Sequence, residues 1–220
     1  MSQNQAPLPF QKPKKRAIVY IDGFNLYYGS VKGTAYKWLN LQRYFELLRN
    51  DDDVVQIHYF TALVQGSHVV NQRIYLQALD TLPKVNVVLG NHKNKRATCR
   101  VPLCTYTGEK KFTTWEEKRT DVNIAVQMMD DAYQNACDLF VVVSGDSDIV
   151  PPLYKIKGRF PEKQIAVYVP ARDKIRGAAT EIRAAGDHNA TLPQALLKRT
   201  QFATTIPDGQ GGTITKPSSW

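Results

Sequence analysis

The sequence has few cysteines and no long apolar run, and each of these shortages excludes a class of protein. Only three cysteines occur in 220 residues, and an odd number argues against a disulfide framework. No apolar stretch approaches the roughly 18 residues that a membrane-spanning helix needs. Residues 1–15 are polar and contain no apolar core typical of a signal peptide. We therefore expect a cytoplasmic protein with no membrane partner.

Cofactor signatures and acidic charge are also scarce. The sequence has neither a P-loop nor a G-x-G-x-x-G motif, which argues against an enzyme that uses a nucleotide cofactor. Its 20 acidic residues are outnumbered by 29 basic ones, giving a net charge of +9. A basic protein attracts polyanions, of which nucleic acid is the commonest. A charge that serves only solubility is the alternative.

Apolar runs rich in β-branched residues alternate with helical patterns along the chain. Short buried strands are predicted over residues 17–21, 54–63, 85–89, 139–143 and 164–169. Helices are predicted over residues 41–48, 67–82, 121–137, 148–157 and 173–185. This alternation predicts an α/β fold, a three-layer α/β/α sandwich with a mainly parallel central sheet. One such domain is expected over 16–200, between a disordered basic arm at 1–15 and a flexible tail at 201–220.

Four aspartates fall where such a fold would place a site. Asp22 directly follows the first predicted strand, Asp146 and Asp148 follow the fourth, and Asp121 begins the helix before it. Ligands of parallel sheets bind at the carboxyl ends of the strands. Carboxylates brought together repel one another, and a hard cation such as Mg²⁺ or Mn²⁺ relieves that repulsion. The sequence therefore predicts a metal site suited to phosphodiester cleavage. The simpler alternative is that each aspartate only forms a turn or caps a helix.

Three motifs around these aspartates resemble those of a known family. They read Ile-Val-Tyr-Ile-Asp22-Gly-Phe-Asn25, Glu-Lys118-Arg-Thr-Asp121 and Ser144-Gly-Asp146-Ser-Asp148, in that order along the chain. They resemble the motifs of the NYN domain family, of the LabA-like type within the PIN-like nucleases, over about residues 16–190. The resemblance implies a PIN-like fold and a ribonuclease that depends on Mg²⁺ or Mn²⁺.

The same resemblance implies roles for individual residues. Its catalytic and metal-binding set is Asp22, Asp121, Asp146 and Asp148. Asn25 matches the polar partner of the first aspartate, Ser144 is expected to hydrogen-bond a ligand or an aspartate, and Lys118 is expected to meet a substrate phosphate. Gly186-Asp187-His188 departs from the Ala-Asp-aromatic pattern that the family often has there. We therefore expect no active-site role for Asp187.

Residues 91–114 break the alternation of strands and helices and are predicted to be a basic insertion, either a loop or a hairpin. Its predicted contacts to a single nucleic-acid strand are Lys93, Lys95, Arg96 and Arg100. The same segment contains three possible zinc ligands, His92, Cys99 and Cys104. A structural zinc site needs about four nitrogen or sulfur ligands, so zinc is the less favoured hypothesis.

The leading hypothesis is an endoribonuclease that hydrolyses single-stranded RNA with Mg²⁺ or Mn²⁺. The alternative is a non-catalytic RNA-binding or regulatory module in which the acidic site is vestigial. A small-molecule phosphohydrolase with Asp22 as nucleophile is disfavoured, because Phe24 stands where such enzymes have a second aspartate. The sequence leaves open the choice between RNA and DNA, and the oligomeric state.

Overall fold

The central sheet is built from strands that are almost continuously apolar. The computed structural model describes residues 13–172 and 179–220. The sheet strands are β1 (Arg16–Asp22), β2 (Asp53–Thr61), β3 (Val85–Leu89), β6 (Leu139–Val143), β7 (Gln164–Val169) and β8 (His188–Thr191). Two hairpins add β4 (Asn91–Thr98) with β5 (Lys111–Lys118), and β9 (Thr205–Pro207) with β10 (Thr213–Thr215). The five strands predicted from the sequence match β1, β2, β3, β6 and β7.

The helices pack on both faces of this sheet. They are α1 (Gly23–Leu26), α2 (Leu41–Leu48), α3 (Val69–Asp80), α4 (Thr120–Tyr133), α5 (Val150–Arg159), α6 (Thr180–Ala185) and α7 (Gln194–Arg199). A single π-helical turn, Tyr27–Val31, directly follows α1. Residues 1–12 and 173–178 lie outside the described ranges, so most of the predicted N-terminal arm and the first part of the helix predicted over 173–185 cannot be compared.

Strand β1 shows why the fold has three layers. Val19 and Ile21 point into a core shared with α2, α3 and α7, whereas Ile18 and Tyr20 point into a second core shared with α4, α5 and α6. Successive side chains of a strand point to opposite faces, so an uninterrupted apolar run must be covered on both. The predicted α/β/α sandwich is therefore confirmed.

The order of the strands decides where a ligand can bind. All pairings in the main sheet are parallel, and the order is β3-β2-β1-β6-β7-β8. The chain winds outward from β1 to β3 and then returns to the other side of β1, where Ile21 pairs with Val143. The winding direction reverses between β1 and β6, and the crevice beyond their carboxyl ends is the usual ligand site of such sheets.

The basic insertion is a hairpin, and it is longer than predicted. Strands β4 and β5 pair in antiparallel register from Asn91 opposite Lys118 to Thr98 opposite Lys111. The hairpin therefore reaches four residues past the predicted boundary at 114. Its polar residues lie on both faces, so the sequence shows no apolar alternation that could mark its ends.

Helix α4 is shorter than the predicted span to Cys137. Asn135 has a left-handed φ of 52°, which ends the helix, as asparagine commonly does. Cys137 is fully buried beyond this turn, so its apolar character extended the helical pattern falsely.

Residues 201–220, which are predicted to be a flexible tail, make packed contacts with the rest of the chain in the structure. Phe202 packs its ring 5.4 Å from that of Trp38, and Trp38 Nε1 donates to the carbonyl oxygen of Ala203 at 2.8 Å. Further along, the ring of Trp220 lies 6.3 Å from that of Trp38. A few aromatic residues thus anchor a segment whose Gly, Pro, Thr and Ser content indicated disorder. Within the described ranges, no helix is both long enough and apolar enough to cross a membrane.

Candidate metal centre

Asp22 lies at the carboxyl end of β1, and both oxygens of its carboxylate accept hydrogen bonds. Its Oδ1 accepts from the backbone N–H of Asn25 at 2.9 Å. Its Oδ2 accepts from Asn25 Nδ2 at 2.6 Å and from Ser144 Oγ at 3.1 Å. Only 4% of the residue is exposed, and this burial raises the pKa of its carboxyl, while the three hydrogen bonds oppose the rise. The side chain is therefore fixed in one orientation before any ligand arrives.

The same residues fix the loop that follows β6. The N–H of Gly145 donates to Asn25 Oδ1 at 3.2 Å, and the N–H of Asp146 donates to Ser144 Oγ at 3.1 Å. Asp146 Oδ1 in turn accepts from the N–H of Asp148 at 3.0 Å. Asn25 and Ser144 thus join the ends of β1 and β6, which places Asp146 beside Asp22. Both residues were predicted as polar partners in the site, and they contact its carboxylates directly.

Asp121 enters the site from the first turn of α4. Burial raises the pKa of Asp121 to about 6, and the charges of Asp22, Asp146 and Asp148 add to the rise. A carboxyl whose ionisation is opposed by three neighbouring carboxylates is the electrostatic situation that a bound cation relieves.

Asp22, Asp121 and Asp146 form what we call the acidic triad. Each offers one carboxylate oxygen, and these three atoms lie within 4.8 Å of one another. A set made only of carboxylate oxygens fits a hard divalent cation such as Mg²⁺ or Mn²⁺. The described residues therefore include a group that is able to hold a metal ion.

The placement of Asp148 differs from the sequence-based expectation. The sequence predicts Asp148 in one metal-binding set with Asp22, Asp121 and Asp146, because it directly follows a predicted strand. In the structure Asp121 belongs to the triad, whereas Asp148 is exposed and outside it, although its charge still acts on Asp121. Asp148 lies in the 3₁₀ turn that directly follows Asp146, and its backbone N–H donates to Asp146 Oδ1.

The model of the NYN domain matches residues 16–192 of this chain. The chain belongs to the NYN domain family. It is 31% identical to 6-hydroxy-3-succinoylpyridine 3-monooxygenase HspA of Pseudomonas putida, over 93% of this chain and 75% of that protein. Among solved structures, it resembles a protein of unknown function from Vibrio parahaemolyticus with a TM-score of 0.52 and 18% identity, over 82% of this chain and 94% of the other. That likeness shows the fold alone. The NYN domain indicates a nuclease-like fold.

The site residues predicted from the sequence did not include one carboxylate of this NYN domain. Glu117, near the end of β5, accepts a hydrogen bond from Thr120 Oγ1. Burial raises the pKa of Glu117, the hydrogen bond from Thr120 opposes the rise, and the charges of Asp22 and Asp121 add to it. Its carboxylate therefore borders the triad. The sequence signal that could have indicated Glu117 was its position four residues before Asp121. The end of β5 lies between the two residues, and the sequence does not mark it.

The predicted phosphate contacts lie on the hairpin. Lys118 is the last residue of β5 rather than part of the helix head, because α4 starts at Thr120 after a left-handed Arg119. The other basic candidates, Lys93, Lys95, Arg96 and Arg100, are all exposed. The hairpin begins beside the site, since the ring of His92 lies 6.2 Å from that of Phe24, two residues after Asp22.

The suggested zinc ligands do not come together. Among the described residues, the acidic triad is the group found able to hold a metal, and it contains no histidine or cysteine. His92 stands near the base of the hairpin and Cys99 lies seven residues along, which is about 23 Å of extended chain. The zinc hypothesis therefore has no support from the structure.

Asp187 lies away from the triad. Its Oδ2 accepts from the N–H of Ile165, near the amino end of β7, at 2.8 Å, and its Oδ1 lies 2.7 Å from Lys157 Nζ. The triad lies at the opposite, carboxyl end of the sheet, so Asp187 takes no part in it.

Proposed function

We propose that this NYN domain is a metal-dependent endoribonuclease that hydrolyses single-stranded RNA. The observation that carries the proposal is the acidic triad, whose three oxygens lie within 4.8 Å at the topological switch point of the sheet. Mg²⁺ or Mn²⁺ fits this ligand set. When bound, the ion would lower the pKa of a water molecule and offset the charge on a phosphate.

The chain's own residues would prepare the site for that chemistry. Asn25 and Ser144 hold the carboxylate of Asp22 in place, and the Ser144–Gly145–Asp146 loop is tied to them by backbone donors. Preorganised ligands need little rearrangement when an ion and a phosphate arrive. Asp148, which is exposed next to Asp146, would accept a hydrogen bond from the attacking water.

The basic residues of the hairpin support the proposal that the substrate is a polyanion. The hairpin places exposed lysines and arginines next to an otherwise acidic crevice, and phosphate contacts of this kind supply most of the sequence-independent affinity for nucleic acid. A carboxylate site alone would repel RNA, so a separate basic surface is needed to hold the strand. Single-stranded RNA is preferred in the proposal because its unpaired bases are free to stack on protein rings.

The relative from Pseudomonas putida is named for a reaction of a different kind, the oxygenation of a succinoylpyridine. Non-haem iron oxygenases typically hold their metal with two histidines and one carboxylate. The triad of this chain consists of three carboxylates, a set better suited to Mg²⁺ or Mn²⁺ and to phosphoryl transfer. The ligand chemistry therefore favours the nuclease.

A cleavage assay with matched variants tests the proposal. Wild type, Asp146→Asn and the control Asp80→Asn would be incubated with circular single-stranded RNA, with DNA of the same sequence, and with Mg²⁺, Mn²⁺ or chelator. Asp80 is exposed at the end of α3 and loses the same charge in the variant. We expect the circle to be opened by wild type and by Asp80→Asn, only with metal, and not by Asp146→Asn.

Two results would contradict the nuclease. One is RNA left intact by wild type with both ions, and the other is cleavage by Asp146→Asn at the wild-type rate. RNA binding without metal binding or cleavage would favour the non-catalytic module instead.

A further inference from the structure

A cavity of about 460 Å³ lies on the α3 side of the sheet, next to the acidic triad. It is enclosed by α1 and the π-helical turn, the end of β2, the start of α3 and the last two residues of the chain. Its volume falls within the roughly 300–1,000 Å³ of small-molecule sites. Six aromatic side chains line it: Phe24, Tyr27, Tyr28, Tyr59, Tyr75 and Trp220.

The walls of the cavity are held by hydrogen bonds and ring contacts. Tyr75 donates its hydroxyl to the carbonyl oxygen of Leu39 at 2.8 Å, and the ring of Trp220 packs 5.8 Å from that of Tyr75. Gln72 donates to the carbonyl oxygen of Ala62 at 2.9 Å and accepts from the N–H of Val64 at 2.7 Å. These bonds fix the loop after β2 as one side of the cavity. The space is therefore preformed, as in most ligand sites.

The cavity shares a wall with the metal centre. Gly23, which lines it, directly follows Asp22, and a Cβ at this position would lie only 2.7 Å from the carbonyl oxygen of Phe60 and 2.8 Å from Cζ of Tyr59. Glycine thus allows the Asp22 turn to pack tightly on the Tyr59 ring. Burial raises the pKa of Tyr59, and the nearby charge of Asp22 adds to the rise. Gly23 and Phe24 of the lining directly follow Asp22 of the triad, so the cavity and the metal centre are joined through one turn of the chain.

The lining indicates a planar ring with a polar edge that is attached to an anion. Aromatic side chains offer faces on which a base can stack. The amide of Asn71 uses one N–H to donate to Ser219 Oγ at 2.9 Å, and an amide also has a second N–H and a carbonyl oxygen for a base edge. Lys37 Nζ lies 6.0 Å from the ring centroid of Trp220, and Lys32 Nζ lies 4.8 Å from that of Tyr28. Two ammonium groups beside the aromatic lining favour a nucleotide over a neutral apolar molecule.

We propose that this aromatic cavity binds one base of the RNA strand and so positions the neighbouring phosphodiester bond at the acidic triad. The inference rests on the proposed function, because the base belongs to the substrate of that site. Cleavage would then occur next to an unstacked nucleotide, which double-stranded RNA does not offer. The cavity thereby gives the site a preference for single strands.

Direct binding measurements without metal test the cavity separately from cleavage. Saturation-transfer NMR and calorimetry in chelator would measure the binding of the four nucleoside 5′-monophosphates, the uncharged nucleosides and ribose 5-phosphate. Single-stranded RNA would then be added to test whether it displaces each of them. The variants are Tyr28→Leu, which removes one ring of the cavity, and Tyr154→Leu on α5 as its control. The two tyrosines are similarly exposed, 44% and 55%, so neither variant is expected to unfold the protein.

We expect the monophosphates to bind, to be displaced by RNA, and to bind more tightly than ribose 5-phosphate. Tyr28→Leu is expected to weaken their binding roughly 5- to 100-fold, the range found for the loss of one stacking ring, and Tyr154→Leu to leave it unchanged. Equal binding of ribose 5-phosphate, or an unaffected Tyr28→Leu variant, would overturn the base site. Nucleosides that bind as tightly as monophosphates and are not displaced by RNA would overturn it in favour of a small free heteroaromatic ligand.

The two proposals fail in different ways. Cleavage of RNA by a protein that binds no monophosphate would remove the base site and leave the nuclease. Binding of monophosphates and RNA by a protein that never cleaves would remove the nuclease and leave a base-binding module.

Discussion

Asn25 bridges the two strand ends of the metal centre by donating to Asp22 Oδ2 at 2.6 Å and accepting from the N–H of Gly145 at 3.2 Å. One amide therefore sets both the direction of the Asp22 carboxylate and the position of the loop that carries Asp146. This bridge explains why an asparagine, with a donor and an acceptor on one short side chain, stands at this position.

Replacing Asn25 with leucine should weaken the metal centre while preserving the shape of the side chain. We expect Mn²⁺ affinity and RNA cleavage to fall about 10- to 100-fold, the usual effect of removing a partner that orients a metal ligand. Calorimetry with Mn²⁺ and the circular-RNA assay would measure both. Asn50→Leu, at an exposed position before β2, is the matched control and should change neither. Wild-type Mn²⁺ affinity in Asn25→Leu would show that the bridge does not orient Asp22.

Asp146 and Asp148 should differ in their effect on metal binding, although the sequence places them in one motif. Asp146 belongs to the triad and Asp148 does not. We expect Asp146→Asn to lower Mn²⁺ affinity by at least about 100-fold, more than an orienting partner would, and Asp148→Asn by less than about 10-fold. Titration of Mn²⁺ monitored by electron paramagnetic resonance would compare the two variants. Equal losses would place Asp148 among the ligands and contradict the geometry.

Metal affinity should fall as the pH drops below the pKa of Asp121. Burial and the charges of Asp22, Asp146 and Asp148 raise that pKa to about 6. A carboxyl must lose its proton to bind a cation, so protons compete with the metal below this pH. We expect Mn²⁺ affinity to fall about 5-fold between pH 6 and pH 5 from this group alone, and about 10-fold for each further pH unit. Asp121→Asn should bind Mn²⁺ weakly at every pH and show a smaller pH dependence in the same calorimetric series.

The same carboxylate should destabilise the metal-free protein at neutral pH. The folded-state pKa of Asp121, about 6, is higher than the ordinary value of 3.8, so the folded state holds this proton more tightly than the unfolded chain does. Its contribution to stability is therefore present below the ordinary pKa and is lost as the pH rises through the folded value. In chelator, Asp121→Asn should have a free energy of unfolding about 1–3 kcal/mol above wild type at pH 7, and a smaller difference at pH 4.

Urea unfolding at both pH values would measure this difference. Burial lowers the pKa of His58, and the charge of Asp131 opposes that shift, so His58 favours stability at higher pH. Because wild type and variant share His58, its contribution cancels in the comparison. Asp80→Asn is again the control, and an equal gain from it would trace the effect to net charge rather than to the triad.

The parts of the fold that depend on apolar runs could be predicted from the sequence. The run before Asp22 and the run before Ser144 are buried on both faces, so their position and parallel arrangement follow from composition and alternation. That arrangement was enough to bring Asp22 and Asp146 to the same edge. The end of the hairpin was misplaced because its polar strands show no periodic signal. The end of α4 was misplaced because a left-handed Asn135 shows none either. The packing of the C-terminal segment depends on isolated aromatic residues, which also form no periodic pattern.

The position of a site residue could be predicted only where the path of the backbone around it could be predicted. Asp121 and Glu117 reach the crevice because the hairpin returns the chain to the start of α4, a long-range relation that local patterns do not contain. Asp148 is exposed in the 3₁₀ turn after Asp146 and does not belong to the triad. The residues of the aromatic cavity come from three separate parts of the chain, 23–39, 59–75 and 219–220, so no motif could have indicated it.

The basic hairpin should determine how strongly RNA binding depends on salt. Replacing four of its exposed basic residues (Lys93, Lys95, Arg96 and Arg100) with glutamine is expected to weaken RNA binding and to flatten its salt dependence. Each phosphate contact to a single strand contributes about −0.7 to the slope of log affinity against log salt, so the slope should become less negative by up to about 3. The matched control removes four exposed charges on other elements, namely Lys155, Arg159, Lys198 and Arg199. Fluorescence anisotropy with labelled RNA in chelator, over a series of salt concentrations, would measure both slopes. Since the control has the same net charge, equal slopes in the two variants would mean that overall charge attracts the RNA and that the hairpin makes no phosphate contacts of its own.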